Sequence, residues 1–225
     1  MKKVFIVIAA YNEEKSIERV IKSLKSFNYK NIVVVDDGSA DNTFSIAKKQ
    51  NVFVLQHALN RGQGASLKTA IDFALLKGAD FIVTFDADGQ HNSSEIKNLL
   101  KPVESGICQV ALGSRFLKSD SNTPALRKFI LKSGALFVWF FYGIKLTDSH
   151  NGFRVFSRKA AMAINITSDR MEHASQIVEE IHKLGLSFRE VPVTITYSDY
   201  SKGKGQSSAN SLRIAFKMLF RRLMH

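Results

Sequence analysis

Three short polar clusters each follow a run of apolar residues, and their side chains suit the binding of a metal and a phosphorylated ligand. They are Tyr11-Asn12-Glu13, Asp36-Asp37-Gly38-Ser39 and Asp86-Ala87-Asp88-Gly89-Gln90. The two carboxylates of the third cluster can supply hard oxygen ligands to Mg²⁺ or Mn²⁺, and Gln90 can add a neutral oxygen. Such a metal holds a diphosphate and neutralises charge as it leaves. Taken singly, each cluster is equally compatible with an ordinary turn, because Asp, Gly and Ser are common turn and cap residues.

The surrounding pattern alternates short apolar runs with residues at helical spacing. Strands are predicted over Val4–Ala9, Ile32–Val35, Val52–Leu55 and Phe81–Phe85. The intervening segments repeat apolar residues every three or four positions, which is typical of helices packed on a sheet. This alternation indicates βαβ units and a mainly parallel sheet. Ligands of such sheets bind beyond the carboxyl ends of the strands, so the three clusters are predicted to converge on one rim.

The alternation is less regular after Gly113. We predict a helix around Ile177, Ile181 and Leu184, a strand over Val191–Tyr197 and a helix over 208–225. The chain shows no internal repeat and no linker-like segment. The fold class predicted from these patterns is α/β, with a Rossmann-like, mainly parallel sheet and flanking helices in a single domain.

Several motifs occur in a fixed order along the chain and together resemble one family. They read AYNEE, VVVDDGSADNT, NRGQGAS, DADGQH, GSRF, DSHNGFRVFSR and KGQSS. In this order they resemble the family-2 glycosyltransferases of GT-A fold, in particular the polyprenyl-phosphate (dolichol-phosphate) sugar transferases and related bacterial polysaccharide enzymes. The resemblance extends from about Val4 to about Ser208 and implies inverting transfer of a sugar from a nucleotide diphosphate donor.

The resemblance also implies roles for individual residues. Asp86, Asp88 and Gln90 match the ligands of a divalent metal and the diphosphate, and Asp148 matches an acidic position facing the acceptor. The nucleoside is held at positions that match Ala9, Tyr11, Glu13 and Asp37. Phosphate is bound at basic positions that match Arg115 and Arg127. We therefore expect residues 1–117 to form a nucleotide-sugar-binding half, residues 118–207 an acceptor half and residues 208–225 a basic amphipathic helix.

Further candidate residues have both a functional and a structural interpretation. Arg61, Gly62 and Gly64 either form a simple turn or bring backbone N–H groups at a helix N-terminus close to the donor phosphates. Glu172 and His173 lie near the predicted acceptor position or serve as cap and surface residues. Lys202 and Lys204 occupy a glycine-rich basic segment suited to closing over phosphates.

Composition excludes several classes of protein. The 225 residues are 45% hydrophobic and 23% charged, which is ordinary for a globular chain and not for a disordered one. The single cysteine, Cys108, permits no internal disulfide. The N-terminus lacks the pattern of a signal peptide. The longest uncharged run, Ser133–Ile144, is shorter than the ~20 residues of a spanning helix, so no transmembrane segment is expected.

The charge is strongly basic, with a formal net value of +12. Residues 118–159 and 201–225 carry most of this excess, which indicates a polyanionic partner. In the last segment Arg213, Lys217 and Arg221 lie beside an apolar stripe from Leu212 to Leu223. Such a helix either lies on an anionic membrane surface or docks on the domain. We expect a cytoplasmic protein, peripheral at the inner face of the cell membrane.

Two rival functions fit less well. A nucleotidyltransferase would carry a glycine-rich loop with a basic residue directly after the first strand, where this chain has Asn12-Glu13-Glu14. A non-catalytic polyanion-binding protein has no use for Asp86 and Asp88, and nucleic acid is not an expected partner because no zinc-finger or RNP-type pattern occurs.

The acceptor is open at this point. A saccharide hydroxyl, as in cell-surface polysaccharide synthesis, requires a general base, for which Asp148, Glu172 and His173 are available. A lipid phosphate is already anionic at neutral pH and requires cations instead. The basic segment around Arg127 favours the lipid phosphate.

Overall fold

A computed structural model of the chain describes residues 2–117, 139 and 143–196. Arg127, Lys202, Lys204 and the predicted helix over 208–225 lie outside the described residues. No helix within the described residues is long and apolar enough to cross a membrane.

The described residues form a seven-stranded sheet in which a parallel half is joined to a mixed half. The strand order is β3-β2-β1-β4-β6-β5-β7. The strands are β1 (Val4–Ala10), β2 (Asn31–Asp36), β3 (Phe53–Gln56), β4 (Phe81–Thr84), β5 (Val110–Ser114), β6 (Arg154–Ser157) and β7 (Phe188–Pro192). Strands β3, β2, β1 and β4 are parallel, β6 runs antiparallel to both β4 and β5, and β7 is parallel to β5. The predicted α/β class with a mainly parallel sheet is confirmed.

Helices cover both faces of this sheet. They are α1 (Ile17–Ser26), α2 (Thr43–Lys49), α3 (Gln63–Leu76), α4 (Ile96–Glu104), α5 (Arg158–Ala163) and α6 (His173–Lys183), with a 3₁₀ turn at Ser93–Glu95. Along β1, Ile6 and Ile8 pack in the core beneath α1 and α4, whereas Phe5 and Val7 pack in the core beneath α3 and α6. Burial on both faces explains why the parallel strands β1, β2 and β4 are continuous apolar runs in the sequence.

The prediction for the last strand was wrong in its bounds. Strand β7 ends at Pro192, although Val193 and Ile195 beyond it are buried, and Ile195 makes only an isolated bridge with His91. The apolar residues beyond Pro192 therefore reflect burial and not pairing with a neighbouring strand. Strands β5 and β6 were not predicted, because both are short and β6 begins with the buried polar residue Arg154.

Candidate functional site

The carboxyl ends of β1 and β2 meet at one edge of the sheet, and their polar clusters interlock. The Asn12 N–H donates to Ser39 Oγ (2.9 Å), and Asn12 Oδ1 accepts from the Ala40 N–H (2.9 Å). The buried Glu13 is fixed by its own N–H, which donates to Thr43 Oγ1, and by the Ser16 hydroxyl, which donates to its carboxylate. Tyr11 and Ala9 lie on the same strand end. The predicted convergence of these two clusters is thus observed.

The aspartates at the end of β2 are both buried and both well supplied with hydrogen-bond donors. Asp36 accepts from the backbone and side chain of Ser39 and from Gln56 Nε2. Asp37 accepts from the Gly62 N–H (2.7 Å) and the Arg61 N–H (3.1 Å), and His57 Nδ1 lies 2.8 Å from its Oδ1. Asp37 therefore anchors the loop before α3, and its contact with a nucleoside stays a prediction.

The loop before α3 packs closely on residues 168–173. A Cβ at Gly64 would lie 2.0 Å from the Ser168 carbonyl oxygen, and one at Gly62 would lie 2.5 Å from that of Asp169. The Ala65 N–H donates to the Asp169 carbonyl (3.0 Å). Both glycines are thus required by the close approach of two backbone segments. Whether Arg61, Gly62 and Gly64 also bind donor phosphates is untested and stays a prediction.

The aspartates that follow β4 are arranged differently. Asp86 lies against the backbone of Gly152, where a Cβ would come within 2.9 Å of Oδ1, and Gln63 Nε2 donates to the same oxygen at 3.3 Å. His91 Nε2 lies 2.9 Å from Asp86 Oδ2. Asp88 accepts from the Gln90 N–H (3.0 Å) and from Gln90 Nε2 (2.7 Å). Gln90 therefore orients Asp88, and its role as a metal ligand is a prediction.

The two carboxylates after β4 influence each other strongly. Burial, together with the charge of Asp86, raises the pKa of Asp88 to about 6. The pKa of Asp86 is lowered: burial opposes this, but the neighbouring His91 and the charge of Arg115 outweigh it. Two partly buried carboxylates in this state are stabilised by a cation. Over the described ranges no three His, Cys, Asp or Glu side chains are grouped to hold a metal.

His91 was not predicted as a site residue. Its ring packs on Phe85 (5.3 Å between centroids) and on Phe153 (4.7 Å), and in the described part of the chain neither ring nitrogen has a hydrogen-bond partner of good geometry. Its side chain thus lies beside Asp86 in an aromatic environment. The signal in the sequence was its position directly after Gln90, which is too general to assign a role.

A second charged cluster joins the ends of β5 and β6. The buried Asp148 accepts from Arg115 Nε (2.6 Å) and from the Arg115 N–H (3.2 Å). Asp148 Oδ1 is buried and has no hydrogen-bond partner among the described residues. The sequence resemblance predicted both residues, and the structure brings them together as an ion pair.

Arg154 is a further residue that was missed. Its guanidinium is buried and donates to the carbonyls of Asn151 (2.9 Å) and Ala174 (3.0 Å). Burial lowers its pKa to about 10, against the charges of Asp148 and Asp86. A buried positive charge therefore lies within electrostatic range of both Asp148 and Asp86. The only feature of the sequence that indicated a role for Arg154 was its place in the DSHNGFR motif.

His173 lies in the first turn of α6, and Glu172 precedes the helix at the N-cap position. His173 is buried, and its Nδ1 donates to the Arg170 carbonyl (2.8 Å). Burial lowers the pKa of His173 to about 4. The imidazole is thus neutral at pH 7. It is packed into the fold beside Gly64 and is not a surface residue.

Comparisons with known proteins agree with this geometry. The sequence model of "Glycosyl transferase family 2" matches residues 5–164. An uncharacterized protein of Methanocaldococcus jannaschii is 42% identical over 224 residues, 98% of this chain and 92% of the relative. The UDP-N-acetylglucosamine–dolichyl-phosphate N-acetylglucosaminyltransferase of Methanococcus voltae is 35% identical over 245 residues, 99% of this chain and 96% of the relative.

A solved structure shares the fold. Glucosyl-3-phosphoglycerate synthase of Mycobacterium tuberculosis, crystallised with Mn²⁺, UDP-glucose and phosphoglyceric acid, superposes with a TM-score of 0.75 at 15% identity, covering 97% of this chain and 77% of that one. With the sheet, the rim and the family match in agreement, the chain belongs to glycosyl transferase family 2 and is a glycosyltransferase of GT-A fold.

Proposed function

We propose that this glycosyltransferase moves a sugar from a nucleotide diphosphate donor to a polyprenyl phosphate, with inversion and with a divalent metal. The observation that favours this acceptor is the state of two of the three candidate bases, the buried Asp148 and His173. Asp148 is held by Arg115 at 2.6 Å, and His173 has a pKa of about 4.

A saccharide hydroxyl needs a general base whose pKa lies near the working pH. His173 is too weak a base for that task at pH 7, and its Nδ1 is committed to the Arg170 carbonyl. A lipid phosphate carries its negative charge at neutral pH and needs no base. It needs a cation, and Arg115 lies at the rim for that role. The dolichyl-phosphate acceptor in the name of the Methanococcus relative supports the same choice.

The residues after β4 fit a divalent metal. The raised pKa of Asp88 beside the charge of Asp86 favours a cation near these two partly buried carboxylates, and the absence of a side chain at Gly152 leaves room for Asp86. Asp86 and Asp88 would hold Mg²⁺ or Mn²⁺, with Gln90 orienting Asp88. A bound metal supplies charge neutralisation for the departing diphosphate. The Mn²⁺ in the mycobacterial synthase is consistent with this assignment.

The remaining residues bind and orient the substrates. Residues 1–117 bind the donor, with Ala9, Tyr11, Glu13 and Asp37 around the nucleoside. Residues 118–207 bind the acceptor. A phosphate oxygen of the acceptor forms a bond to the anomeric carbon as the bond from that carbon to the diphosphate breaks. Attack from the opposite face inverts the anomeric configuration, and no proton has to move. Arg127, Lys202 and Lys204 are the proposed additional phosphate contacts.

The test is a transfer assay with a panel of nucleotide sugars. We expect release of nucleoside diphosphate that requires Mg²⁺ or Mn²⁺ and rises on addition of a short-chain polyprenyl phosphate. Proton NMR of the product should show inverted anomeric configuration. Transfer to saccharides but not to polyprenyl phosphate would overturn the proposed acceptor, and full activity in EDTA would overturn the metal.

We propose further that the protein attaches to the inner face of the cell membrane through its basic C-terminal segment. Residues 201–225 carry six basic and no acidic side chains, and anionic lipid contributes roughly 1 kcal/mol for each well-placed Lys or Arg. The wild type should co-sediment with anionic liposomes at low salt and be released at high salt. The triple change Arg213→Glu, Lys217→Glu and Arg221→Glu should abolish sedimentation but not donor hydrolysis; full sedimentation of this variant would exclude the segment as anchor.

A further inference from the structure

Glu190 lies on the edge strand β7, and its carboxylate binds the short segment Thr147–Asp148 of the acceptor half. Oε1 accepts from the Thr147 N–H (2.9 Å), from Thr147 Oγ1 (2.8 Å) and from the Asp148 N–H (3.2 Å). Oε2 also accepts from the Thr147 N–H (3.0 Å). Two consecutive backbone N–H groups and one hydroxyl thus converge on a single charged acceptor.

These contacts connect the sheet edge to the Arg115–Asp148 ion pair. Glu190 is paired in register with Leu112 of β5, and Ser114 of the same strand meets Thr147 through their hydroxyls (2.6 Å). Arg115 follows directly, and both its N–H and its Nε donate to Asp148. The position of the Arg115 guanidinium therefore depends on Asp148, and the position of Asp148 depends on Glu190.

The environment of Glu190 indicates that loss of its carboxylate should have little effect on the stability of the whole protein. Glu190 is only partly buried, and it borders an open cavity of about 390 Å³ lined also by Lys101, Pro102 and Arg189. Shortening its side chain enlarges a space that already exists and leaves the two hydrophobic cores intact. Removal of the carboxylate frees the N–H and the hydroxyl of the exposed Thr147, which water can then satisfy, together with the N–H of the buried Asp148.

We propose that Glu190 is a positioning residue for the acceptor phosphate: it holds Thr147 and Asp148 so that Asp148 can hold the guanidinium of Arg115. Hydrogen bonds to a charged acceptor are short and strong, which suits a group that must fix a loop to a strand. Misplacement of a reacting group by about 1 Å can cost on the order of 10²-fold in rate. This inference rests on the proposed transfer to a lipid phosphate.

The test compares Glu190→Ala, Glu190→Gln and the control Glu179→Gln. Glu179 is an acidic residue of α6 whose ion pair with Lys183 lies far along the chain from Thr147. With a short-chain polyprenyl phosphate as acceptor, Glu190→Ala should raise the acceptor KM or lower kcat/KM by about 10- to 100-fold. The affinity for nucleoside diphosphate with Mn²⁺ should stay within about twofold. Glu190→Gln keeps one acceptor oxygen and should recover part of the loss.

Amide hydrogen exchange supplies a readout that does not depend on the acceptor. The Thr147 and Asp148 amides should lose protection in Glu190→Ala while the thermal midpoint of the whole protein changes little. In an Arg115→Ala background, adding Glu190→Ala should cost little further activity, because both changes act on one group. Unchanged protection and unchanged acceptor KM in Glu190→Ala would overturn the inference, and so would equal losses of donor and acceptor binding. If the wild type does not transfer sugar to polyprenyl phosphate, the proposed acceptor is wrong. Amide exchange then still tests whether Glu190 holds Thr147 and Asp148 in place.

Discussion

Two pairs of aspartates follow parallel strands of the same sheet and look alike in the sequence, yet their surroundings differ. At the end of β2, backbone N–H groups, a hydroxyl and an amide donate to Asp36 and Asp37. At the end of β4, Asp88 relies on Gln90, and burial beside Asp86 raises its pKa to about 6. The first pair is supplied with hydrogen-bond donors by the protein itself, whereas Asp88 of the second pair has few donors and a like-charged neighbour.

This difference separates two uses of the same residue type. A buried carboxylate with several donors fixes the chain around it, as Asp37 fixes the loop before α3. A partly buried carboxylate with few donors and a like-charged neighbour reduces stability in the absence of a ligand, and such groups cluster at functional sites. The comparison therefore predicts a mainly structural role for Asp36 and Asp37, beside the proposed contact of Asp37 with the nucleoside. It predicts metal binding for Asp86 and Asp88, and substitution of each pair tests it.

The largest expected effect is the loss of transfer in Asp88→Asn. Removal of one metal ligand should lower kcat/KM by on the order of 10³-fold, since a bound metal supplies several kcal/mol to the transition state. The metal-free variant should nevertheless unfold at a higher temperature than the wild type at pH 7, because a neutral amide does not repel Asp86. A shift from 3.8 to about 6 sets an upper bound of about 3 kcal/mol on that gain.

Steady-state kinetics at saturating Mn²⁺ and thermal unfolding of the metal-free protein measure the two outcomes separately. A variant that is inactive and also destabilised would show that Asp88 belongs with the structural pair.

The second effect is a loss of stability in Asp37→Asn, opposite to the gain expected for Asp88→Asn. Its new amide group would place N–H against the Gly62 N–H, which now donates at 2.7 Å. We expect a loss of about 1–3 kcal/mol in the free energy of unfolding, typical of a buried donor without an acceptor. The midpoint of urea denaturation measures it, and donor affinity should fall as the loop before α3 loosens.

Asp72→Asn is the matched control, because Asp72 forms an exposed ion pair with Lys68 in α3. Such pairs contribute well under 1 kcal/mol. Equal destabilisation by Asp37→Asn and Asp72→Asn would remove the distinction between the two aspartate pairs.

The smallest effect is a change in the acid dependence of stability. The pKa of Asp88 is raised to about 6, so its folded form holds more protons than the unfolded chain between about pH 4 and 6, and this favours folding as the pH falls. The pKa of His173 is lowered to about 4, so protonation favours the unfolded chain as the pH falls from about 6.5 to 4. The two effects offset each other in the wild type.

Asp88→Asn removes the first effect and leaves the second. Its free energy of unfolding should fall more steeply between pH 6.5 and 4.5 than that of the wild type, by up to about 1 kcal/mol per pH unit. Urea denaturation at a series of pH values provides the measurement, and Asp72→Asn should parallel the wild type. Parallel curves for Asp88→Asn would show that the Asp88 carboxyl is not perturbed.

The first half of the chain was predictable because strands β1, β2 and β4 are buried on both faces and the helices on one. The run Val4–Ala10 and the spacing of Ile17, Val20 and Leu24 express those environments directly in the sequence. The mixed half was less predictable, because β6 is short and begins with a buried arginine that pattern analysis takes for a surface residue. In β7, Phe188 and Arg189 are both exposed, so the strand lacks the alternation of buried and exposed residues by which strands are predicted.

The site shows the same division. The place of the acidic clusters could be predicted, since parallel strands bring their carboxyl ends to one edge. The contacts that distinguish them could not, because Asp37 meets Gly62 and Asp86 meets Gly152 only after distant segments pack. The burial of Arg154 and the aromatic surroundings of His91 arise in the same way. They are properties of the assembled sheet and leave no local pattern.

The position of β6 between β4 and β5 also has a consequence for synthesis. Thr84 of β4 pairs with Arg154, a residue 70 positions further along the chain. At a synthesis rate of about 5–20 residues per second, β4 is made roughly 4–14 s before its antiparallel neighbour β6. The exposed edge is the apolar run Phe81–Thr84, a segment prone to pairing with other chains. Slower translation between these strands should therefore lower the yield of folded enzyme without altering the protein once made.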